Sequence, residues 1–147
     1  MSSDRIMAEE PIEKKITRIL IHRKMTVTAA ESCTGGLVAG TLVNADGISE
    51  VFKESYVTYS NEAKHKLLGV KKETLEKYGA VSRQTAAEMA EGAVRAAGAD
   101  ASVVTTGVAG PGGGTEEKPV GLVYIGCCVK GCTIVKRCFY GGDRQGV

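Results

Sequence analysis

The sequence contains no tryptophan, and only two phenylalanines and two histidines among its 147 residues. No apolar run approaches the ~20 residues that a membrane helix needs, so no membrane span is expected. Residues 1–10 carry acids and no apolar block, which argues against a signal peptide. The formal charge of +2 is too small to indicate a nucleic-acid or membrane-surface partner. We therefore expect a soluble cytoplasmic protein.

The five cysteines form neither a disulfide nor a metal-binding pattern. Their number is odd and the chain has no secretory signal, which argues against a disulfide framework. Cys127, Cys128, Cys132 and Cys138 cluster, but they include no C-x-x-C pair. The adjacent Cys127 and Cys128 would point to opposite faces of a strand. We expect buried thiols on strands rather than the alternative, a zinc site, and we expect no cofactor.

Hydrophobic residues make up 43% of the chain, enough for a core, and the length predicts one domain over residues 1–147. Periodicity and turn residues predict helices over 12–22, 37–43, 62–68, 72–78 and 83–97, and strands over 25–30, 55–59, 102–106, 121–129 and 133–140. Asn61 and Ser82 are the predicted N-caps of two of these helices, and Pro11 is expected in the first turn of the first one. The helix over 83–97 has a predicted packing stripe of Ala86, Met89, Ala90, Ala93, Val94 and Ala97. The alternation of strands and helices, followed by a hairpin, predicts a three-layer α/β domain with a mixed sheet.

The segment E-S-C-T-G-G at residues 31–36 stands between a predicted strand and a predicted helix. A tight turn at this place can expose a nucleophile such as Ser32, and the N–H groups at a helix start can hold an oxyanion. The alternative is that Ser32 and Thr34 only cap the helix, while the glycines allow close packing. The hexapeptide alone leaves both interpretations open.

A hydroxyl nucleophile needs a base, and the chain offers few. A Ser-His-Asp triad would depend on His65, because His22 ends an amphipathic helix. Lys64 is the stronger candidate. If Asn61 caps its helix, Lys64 lies in the first turn, where the helix dipole and partial burial would favour the neutral amine. The alternative is a solvated helix lysine.

A second glycine-rich stretch, T-T-G-V-A-G-P-G-G-G at residues 105–114, follows a predicted strand. That position suits a ligand loop at the carboxyl edge of a sheet. It is not a dinucleotide fingerprint, since no helix follows, and it is not a P-loop, since no Gly-Lys-Ser/Thr follows. A flexible connection is the alternative.

Taken together, these stretches resemble the CinA C-terminal domain family. The motifs E-S-C-T-G-G, Y-S-N-E-A-K, G-A-V-S, T-G-V-A-G-P-G-G-G and E-E-K-P-V-G occur in the family's order and spacing, within residues 12–144. Active members of this family are nicotinamide mononucleotide deamidases. The resemblance implies a three-layer α/β/α sandwich with a five-stranded mixed sheet. It also implies hydrolysis of the substrate's carboxamide by a Ser-Lys mechanism without metal.

The resemblance assigns roles to individual residues. Ser32 matches the nucleophile, Lys64 the base, and Tyr59 a tyrosine beside that lysine, while Cys33 is expected to pack inward. A homo-oligomer is a further possible assembly. The expected contacts to the nucleotide come from residues of the two glycine-rich loops and their neighbours: Glu31, Thr34, Gly35, Gly36, Asn61, Thr106, Gly107, Gly110, Gly112 and Gly113.

The chain departs from the family pattern in two respects. Family members commonly continue past the Gly-Asp-Arg segment into a final helix, whereas this sequence ends at Val147, so one layer is expected to be thin. Larger relatives carry an N-terminal pyrophosphatase-like domain that this sequence lacks. A non-catalytic module that senses a pyridine nucleotide is the main alternative, and a competence-related interaction role is a third.

Overall fold

Helices and strands alternate along the chain in the computed structural model, which describes residues 9–147. Residues 1–8, on which part of the signal-peptide argument depends, lie outside the described residues. No helix within 9–147 is long and apolar enough to cross a membrane. The elements are α1 (Ile12–Arg23), β1 (Val27–Glu31), α2 (Leu37–Leu42), a 3-10 turn (Ile48–Glu50), β2 (Tyr56–Val57), α3 (Asn61–Leu68), α4 (Lys72–Tyr78), α5 (Arg83–Ala97), β3 (Ala101–Gly107), β4 (Leu122–Val129) and β5 (Cys132–Phe139).

The five strands form one mixed sheet in the order β2-β1-β3-β4-β5. β1 is parallel to both of its neighbours, with Ala30 opposite Tyr56 on β2 and Val104 on β3. The pairs β3–β4 and β4–β5 are antiparallel. The predicted mixed sheet of about five strands is therefore confirmed. Because β1 and β3 are parallel, the loops that follow them emerge at the same edge of the sheet.

Helices cover both faces of the sheet, which confirms the three-layer α/β/α sandwich. On one face α5 packs across β1, β3, β4 and β5, with α3 and α4 beside it. The buried core there comprises Ala30, Leu68, Val70, Leu75, Met89, Ala90, Ala93, Val104 and Cys128. On the other face α1 and α2 enclose a second buried cluster of Leu20, Met25, Val27, Leu42, Ala45, Ile48, Val51 and Ala101.

The second face is thinner over β4 and β5. Ile134 of β5 is 66% exposed. An apolar cavity of about 550 Å³ lies between the sheet and helices α1 and α2, with Val103 and Cys127 on the sheet side and Ile12 and Leu37 on the helix side. The helical layer therefore covers this face less fully than α5 covers the opposite one.

Helix α5 has the bounds that its sequence predicts, because both ends carry local signals. The Ser82 hydroxyl accepts a hydrogen bond from the Thr85 amide at 3.1 Å, and Gly98 ends the helix in the left-handed conformation with φ of 63°. Gly92 allows α5 to approach α3 closely, since a Cβ there would lie 1.8 Å from the Leu68 carbonyl oxygen. The predicted stripe is buried at Ala86, Met89, Ala90 and Ala93.

Three local predictions were wrong in detail. The strand predicted over 55–59 has only two residues, Tyr56–Val57. It lies at the edge of the sheet and has β1 as its single partner, so its length depends on that one pairing. The N-cap of α3 is Ser60, not Asn61. Ser60 is extended and its hydroxyl accepts the Ala63 amide at 3.1 Å, whereas Asn61 is already helical. Pro11 occupies the N-cap position of α1 rather than its first turn.

All five cysteines are free thiols. Of the four clustered ones, the prediction of buried thiols on strands is confirmed for Cys128 but wrong for the others, since Cys132 is exposed and Cys127 and Cys138 are partly exposed. Cys128 is buried in the core beneath α5, while the adjacent Cys127 lines the cavity on the other face, which confirms their opposite orientations. The hairpin turn consists of Lys130 and Gly131, both with positive φ, and Cys132 pairs with Val129 as the first residue of β5.

Candidate functional site

Ser32 lies at the carboxyl edge of the sheet, one residue after β1. Its amide donates to the Thr105 carbonyl of β3 at 3.0 Å, so the end of β1 remains attached to its parallel neighbour. The chain then turns sharply through Gly35 and Gly36, whose φ angles of 59° and 115° favour glycine, before α2 begins. This strand–turn–helix arrangement is the one that the sequence predicts for residues 31–36.

Lys64 on α3 reaches Ser32 from the other side of the edge. Its Nζ lies 3.2 Å from Ser32 Oγ and donates to the Thr58 carbonyl at 2.9 Å. The lysine is 1% exposed, and Ser32 is also buried. Within residues 9–147 no carboxylate forms an ion pair with Lys64. A buried lysine without a counter-ion is unusual and favours a functional interpretation over a solvated helix lysine.

Burial lowers the pKa of Lys64 from its ordinary value, because removal from water disfavours the ammonium form. The Cys33 thiol has a smaller opposing influence on this pKa, since a thiolate there would favour the charged lysine. The amine is therefore adjusted toward the neutral form that can accept a proton from Ser32. The Lys64 amide bonds to the Ser60 carbonyl at 3.1 Å, which locates the residue at the start of α3.

A cavity of about 310 Å³ opens at the Ser32–Lys64 pair. The loop after β3 forms much of its wall, so the structure brings both glycine-rich segments of the sequence to one place. Of the predicted site residues, this cavity is lined by Ser32, Tyr59, Asn61, Lys64, Thr106, Gly107, Gly110, Gly112 and Gly113.

Arg144 is a residue of this cavity that the sequence prediction missed. Its guanidinium donates to the Gly110 carbonyl and to the Tyr59 hydroxyl, both at 2.6 Å. Tyr59 is 58% exposed, and its hydroxyl bonds to Arg144 rather than to Lys64. The Gly-Asp-Arg segment was visible in the sequence, but nothing local indicated that it folds back across 85 positions to Tyr59.

Two residues predicted to contact a ligand use their polar groups inside the protein. Glu31 is 1% exposed, and its carboxylate accepts hydrogen bonds from the turn and from the start of α2, so it has no free edge for a substrate. Thr106 lines the cavity, but its hydroxyl donates to the Ala80 carbonyl at 2.8 Å. Their positions support a structural role for these groups.

The turn also uses several of its own amide groups. The Gly35 amide donates to the Ser32 carbonyl at 3.1 Å, and the Gly36 amide donates to Glu31. Within residues 9–147 the amides of Cys33 and Thr34 donate to no other residue, so these two face no competing acceptor at this turn apart from the Cys33 thiol itself.

The prediction that Cys33 packs inward was wrong. Cys33 is half-buried and lines both the cavity at Ser32 and an adjoining cavity of about 440 Å³. Burial raises the pKa of its thiol, which reduces the thiolate fraction. The adjoining cavity is also lined by Thr34 and Gly35, and the two cavities share Cys33, Tyr59, Ala109 and Arg144.

Thr34 lies in the adjoining cavity, where its hydroxyl bonds to the Glu31 carboxylate at 2.5 Å and to the Thr105 hydroxyl at 2.8 Å. Gly36 lines neither cavity and serves the turn through its positive φ. As for metal ligands, residues 9–147 contain no group of three or more His, Cys, Asp or Glu side chains suited to an ion.

The fold and the site define an α/β domain with a buried serine–lysine pair at the carboxyl edge of its sheet. The family model named CinA C-terminal domain matches residues 9–147. The chain therefore belongs to the CinA C-terminal domain family.

Relatives of known sequence agree with this membership. A competence-damage inducible protein of Clostridium perfringens is 60% identical over 139 residues, covering 95% of this chain and 34% of the relative. One from Clostridium acetobutylicum is 58% identical over 141 residues, covering 96% of this chain and 34% of the relative. The chain thus spans about a third of the length of these relatives.

Solved structures have the same fold. A competence-damaged protein (CinA) superfamily protein from Escherichia coli superposes with a TM-score of 0.89 at 38% identity, covering 92% of this chain and 79% of that one. A competence/damage inducible protein from Agrobacterium tumefaciens superposes with a TM-score of 0.84 at 44% identity, covering 95% and 88%.

Proposed function

We propose that this protein hydrolyses the carboxamide of nicotinamide mononucleotide to nicotinate mononucleotide and ammonia, with Ser32 as nucleophile and Lys64 as base. The observation that carries the proposal is the buried contact of 3.2 Å between Lys64 Nζ and Ser32 Oγ. A serine hydroxyl becomes an effective nucleophile only when an adjacent base removes its proton. The family resemblance supplies the substrate, and the geometry supports the chemistry.

In the first step the Lys64 amine accepts the Ser32 proton while Oγ attacks the carboxamide carbon. One N–H of the amine donates to the Thr58 carbonyl at 2.9 Å, which leaves the lone pair free to face Ser32. The carbon–oxygen bond forms, and the carbonyl oxygen becomes an oxyanion. Lys64 holds the transferred proton as an ammonium.

The oxyanion needs donors that the protein has not already used. The Gly35 and Gly36 amides are engaged, so the donors we assign at this turn are the Cys33 and Thr34 amides. The loop after β3 offers further donors beyond Val108, whose own amide bonds to Leu122. The Arg144 guanidinium, at the Gly110 end of that loop, adds positive charge to the same cavity.

Collapse of the tetrahedral intermediate breaks the carbon–nitrogen bond, and the Lys64 ammonium supplies a proton to the departing ammonia. The product of this step is an ester between Ser32 and the nicotinate. Water then attacks the ester carbon, Lys64 accepts the water's proton, and that proton returns to Ser32 Oγ as the acid leaves. Every proton in these steps moves between Lys64, Ser32, water and ammonia, and the proposed mechanism uses no metal.

The two cavities provide room for the rest of the nucleotide. The carboxamide must reach Ser32 in the smaller cavity, and the adjoining one extends past Cys33, Tyr59, Ala109 and Arg144. Gly110, Gly112 and Gly113 remain our candidates for ribose and phosphate contacts, because glycines allow a ligand to approach the backbone closely.

Release of ammonia from nicotinamide mononucleotide by the purified protein tests the proposal. We expect ammonia and nicotinate mononucleotide in equal amounts, and loss of both in Ser32→Ala. The measurement should follow both products, because ammonia alone can arise from a contaminating deamidase. If the wild-type protein binds the nucleotide without turnover, the proposal fails and a pyridine-nucleotide sensor replaces it.

A further inference from the structure

We propose that Glu31 is a positioning residue that keeps the Ser32 hydroxyl within reach of the Lys64 amine. This inference rests on the proposed serine–lysine chemistry. Glu31 is a buried carboxylate directly before Ser32, although it contacts neither Ser32 Oγ nor Lys64 through its side chain. Its side chain binds the turn that carries Ser32, and its main chain binds Thr58, the residue whose carbonyl accepts from Lys64.

The side chain holds the turn that carries Ser32. One carboxylate oxygen accepts from the Thr34 hydroxyl at 2.5 Å, the Gly36 amide at 3.1 Å and the Val38 amide at 2.9 Å. The other oxygen accepts from the Ala39 amide at 2.9 Å. Hydrogen bonds to an ionised acceptor are stronger than neutral ones. The four bonds fasten both the turn and the first residues of α2 to the end of β1.

This attachment matters because the turn has little rigidity of its own. Gly35 and Gly36 both have positive φ, and glycine has more backbone freedom than any other residue. The first amides of a helix also lack partners within the helix, so a buried helix start needs an acceptor from elsewhere. Glu31 provides that acceptor, and thereby fixes the direction in which Ser32 leaves the strand.

The main chain of Glu31 holds the residue that orients Lys64. The Glu31 carbonyl accepts from the Thr58 amide at 2.7 Å, and the Thr58 carbonyl accepts from Lys64 Nζ at 2.9 Å. Nucleophile and base therefore reach their contact of 3.2 Å from two segments that are both bonded to one residue. Displacement of the carboxylate would move Ser32 relative to the base.

Glu31→Gln is the variant that tests this role, because it keeps the size of the side chain but replaces one acceptor oxygen with a donor NH₂ group. That group would face an amide donor, so at least one of the four bonds is lost. A displacement of about 1 Å can reduce turnover about 100-fold. We expect kcat to fall between about 10-fold and 100-fold, with KM changed less than about 3-fold.

Glu88→Gln is the matched control. The Glu88 carboxylate also accepts a threonine hydroxyl, that of Thr74 at 2.6 Å, and a backbone amide, that of Lys71 at 2.9 Å, whereas Glu31 accepts three such amides. It joins α4 to α5 and lines neither cavity of the site. Both variants should lower the melting temperature, but only Glu31→Gln should lower kcat.

A second measurement separates this inference from the proposed substrate. A fluorophosphonate probe forms a bond between phosphorus and Ser32 Oγ with loss of fluoride, while the Ser32 proton passes to Lys64. This reaction needs the positioned serine and its base but no nucleotide. We expect Glu31→Gln to label at least 10-fold more slowly than the wild type. A wild type that labels but releases no ammonia would overturn the proposed function and leave the role of Glu31 still testable by labelling.

Circular dichroism shows whether Glu31→Gln is folded, and this result determines which variant is compared with the wild type. If Glu31→Gln does not fold, Thr34→Val removes a single bond to the carboxylate, and we expect a smaller but measurable loss of labelling rate. An unchanged labelling rate and kcat in a folded Glu31→Gln protein would overturn the inference. A rise in KM with unchanged kcat would also overturn it, because that result would indicate direct contact between Glu31 and substrate.

Discussion

Replacement of Lys64 by methionine should change how the stability of the protein depends on pH. The native state disfavours the Lys64 ammonium because the side chain is 1% exposed, so burial lowers its pKa. The unfolded chain has no such burial and titrates near the ordinary value of ~10.4. Between the lowered native pKa and ~10.4, the unfolded state therefore binds one more proton than the native state.

This extra proton sets the direction and the steepness with which the free energy of unfolding changes with pH. Wherever the unfolded state binds more protons, the free energy of unfolding rises with pH, by at most about 1.4 kcal/mol per pH unit for one group. The wild type should therefore gain stability relative to Lys64→Met as pH rises through this interval, and the difference should level off above pH ~10.4. Loss of the bond to the Thr58 carbonyl adds a constant penalty to the variant, which does not affect the slope.

Urea unfolding monitored by circular dichroism at intervals between about pH 6 and 10.5 provides the measurement, since this range extends to the ordinary lysine pKa. The other titrating groups are shared by the two proteins, so their contributions cancel in the difference, with the exception of Cys33, whose thiol interacts with Lys64. Lys66→Met removes an exposed lysine from the same helix and serves as the control. The free-enzyme pKa in the pH profile of kcat/KM should coincide with the start of the slope. A difference that does not vary with pH would mean that Lys64 is charged in the native protein, and it could not then be the base.

Four further predictions concern the site and the packing. Ser32→Ala should abolish turnover while Cys33→Ala retains most of it, and the reverse result in an ammonia assay would make the thiol the nucleophile. Lys64→Arg should be nearly as inactive as Lys64→Ala, because a guanidinium cannot lose its proton, and an active arginine variant would show that only charge is needed. Exhaustive chelation should leave activity intact, whereas loss of activity together with a stoichiometric metal would contradict the metal-free mechanism. Gly92→Ala should destabilise the protein by several kcal/mol, because its Cβ would overlap the backbone of α3, whereas Gly40→Ala has open space and should gain up to about 1 kcal/mol in urea unfolding.

Several features were predictable because short stretches of sequence determine them. The bounds of α5 follow from a capping serine and a terminal glycine, and the opposite faces of Cys127 and Cys128 follow from strand geometry. The prediction of Asn61 as an N-cap was wrong because serine is an equally good cap and Ser60 stands one residue earlier. The backbone conformation around β2 decides between them, and that conformation depends on pairing with β1.

The features of the site also fall into those that the sequence predicts and those that depend on tertiary packing. The sequence by itself determined that each of the two glycine-rich loops follows a strand. The parallel pairing of β1 and β3, which brings both loops to one edge of the sheet, is a property of the tertiary structure. Only the tertiary structure decided that Lys64 is buried with no counter-ion among residues 9–147, that the Glu31 carboxylate is engaged within the protein, and that Arg144 reaches Tyr59. Burial and hydrogen bonding between distant segments depend on how whole elements pack. A local pattern can therefore supply the candidate side chains, but it cannot supply their desolvation or their partners.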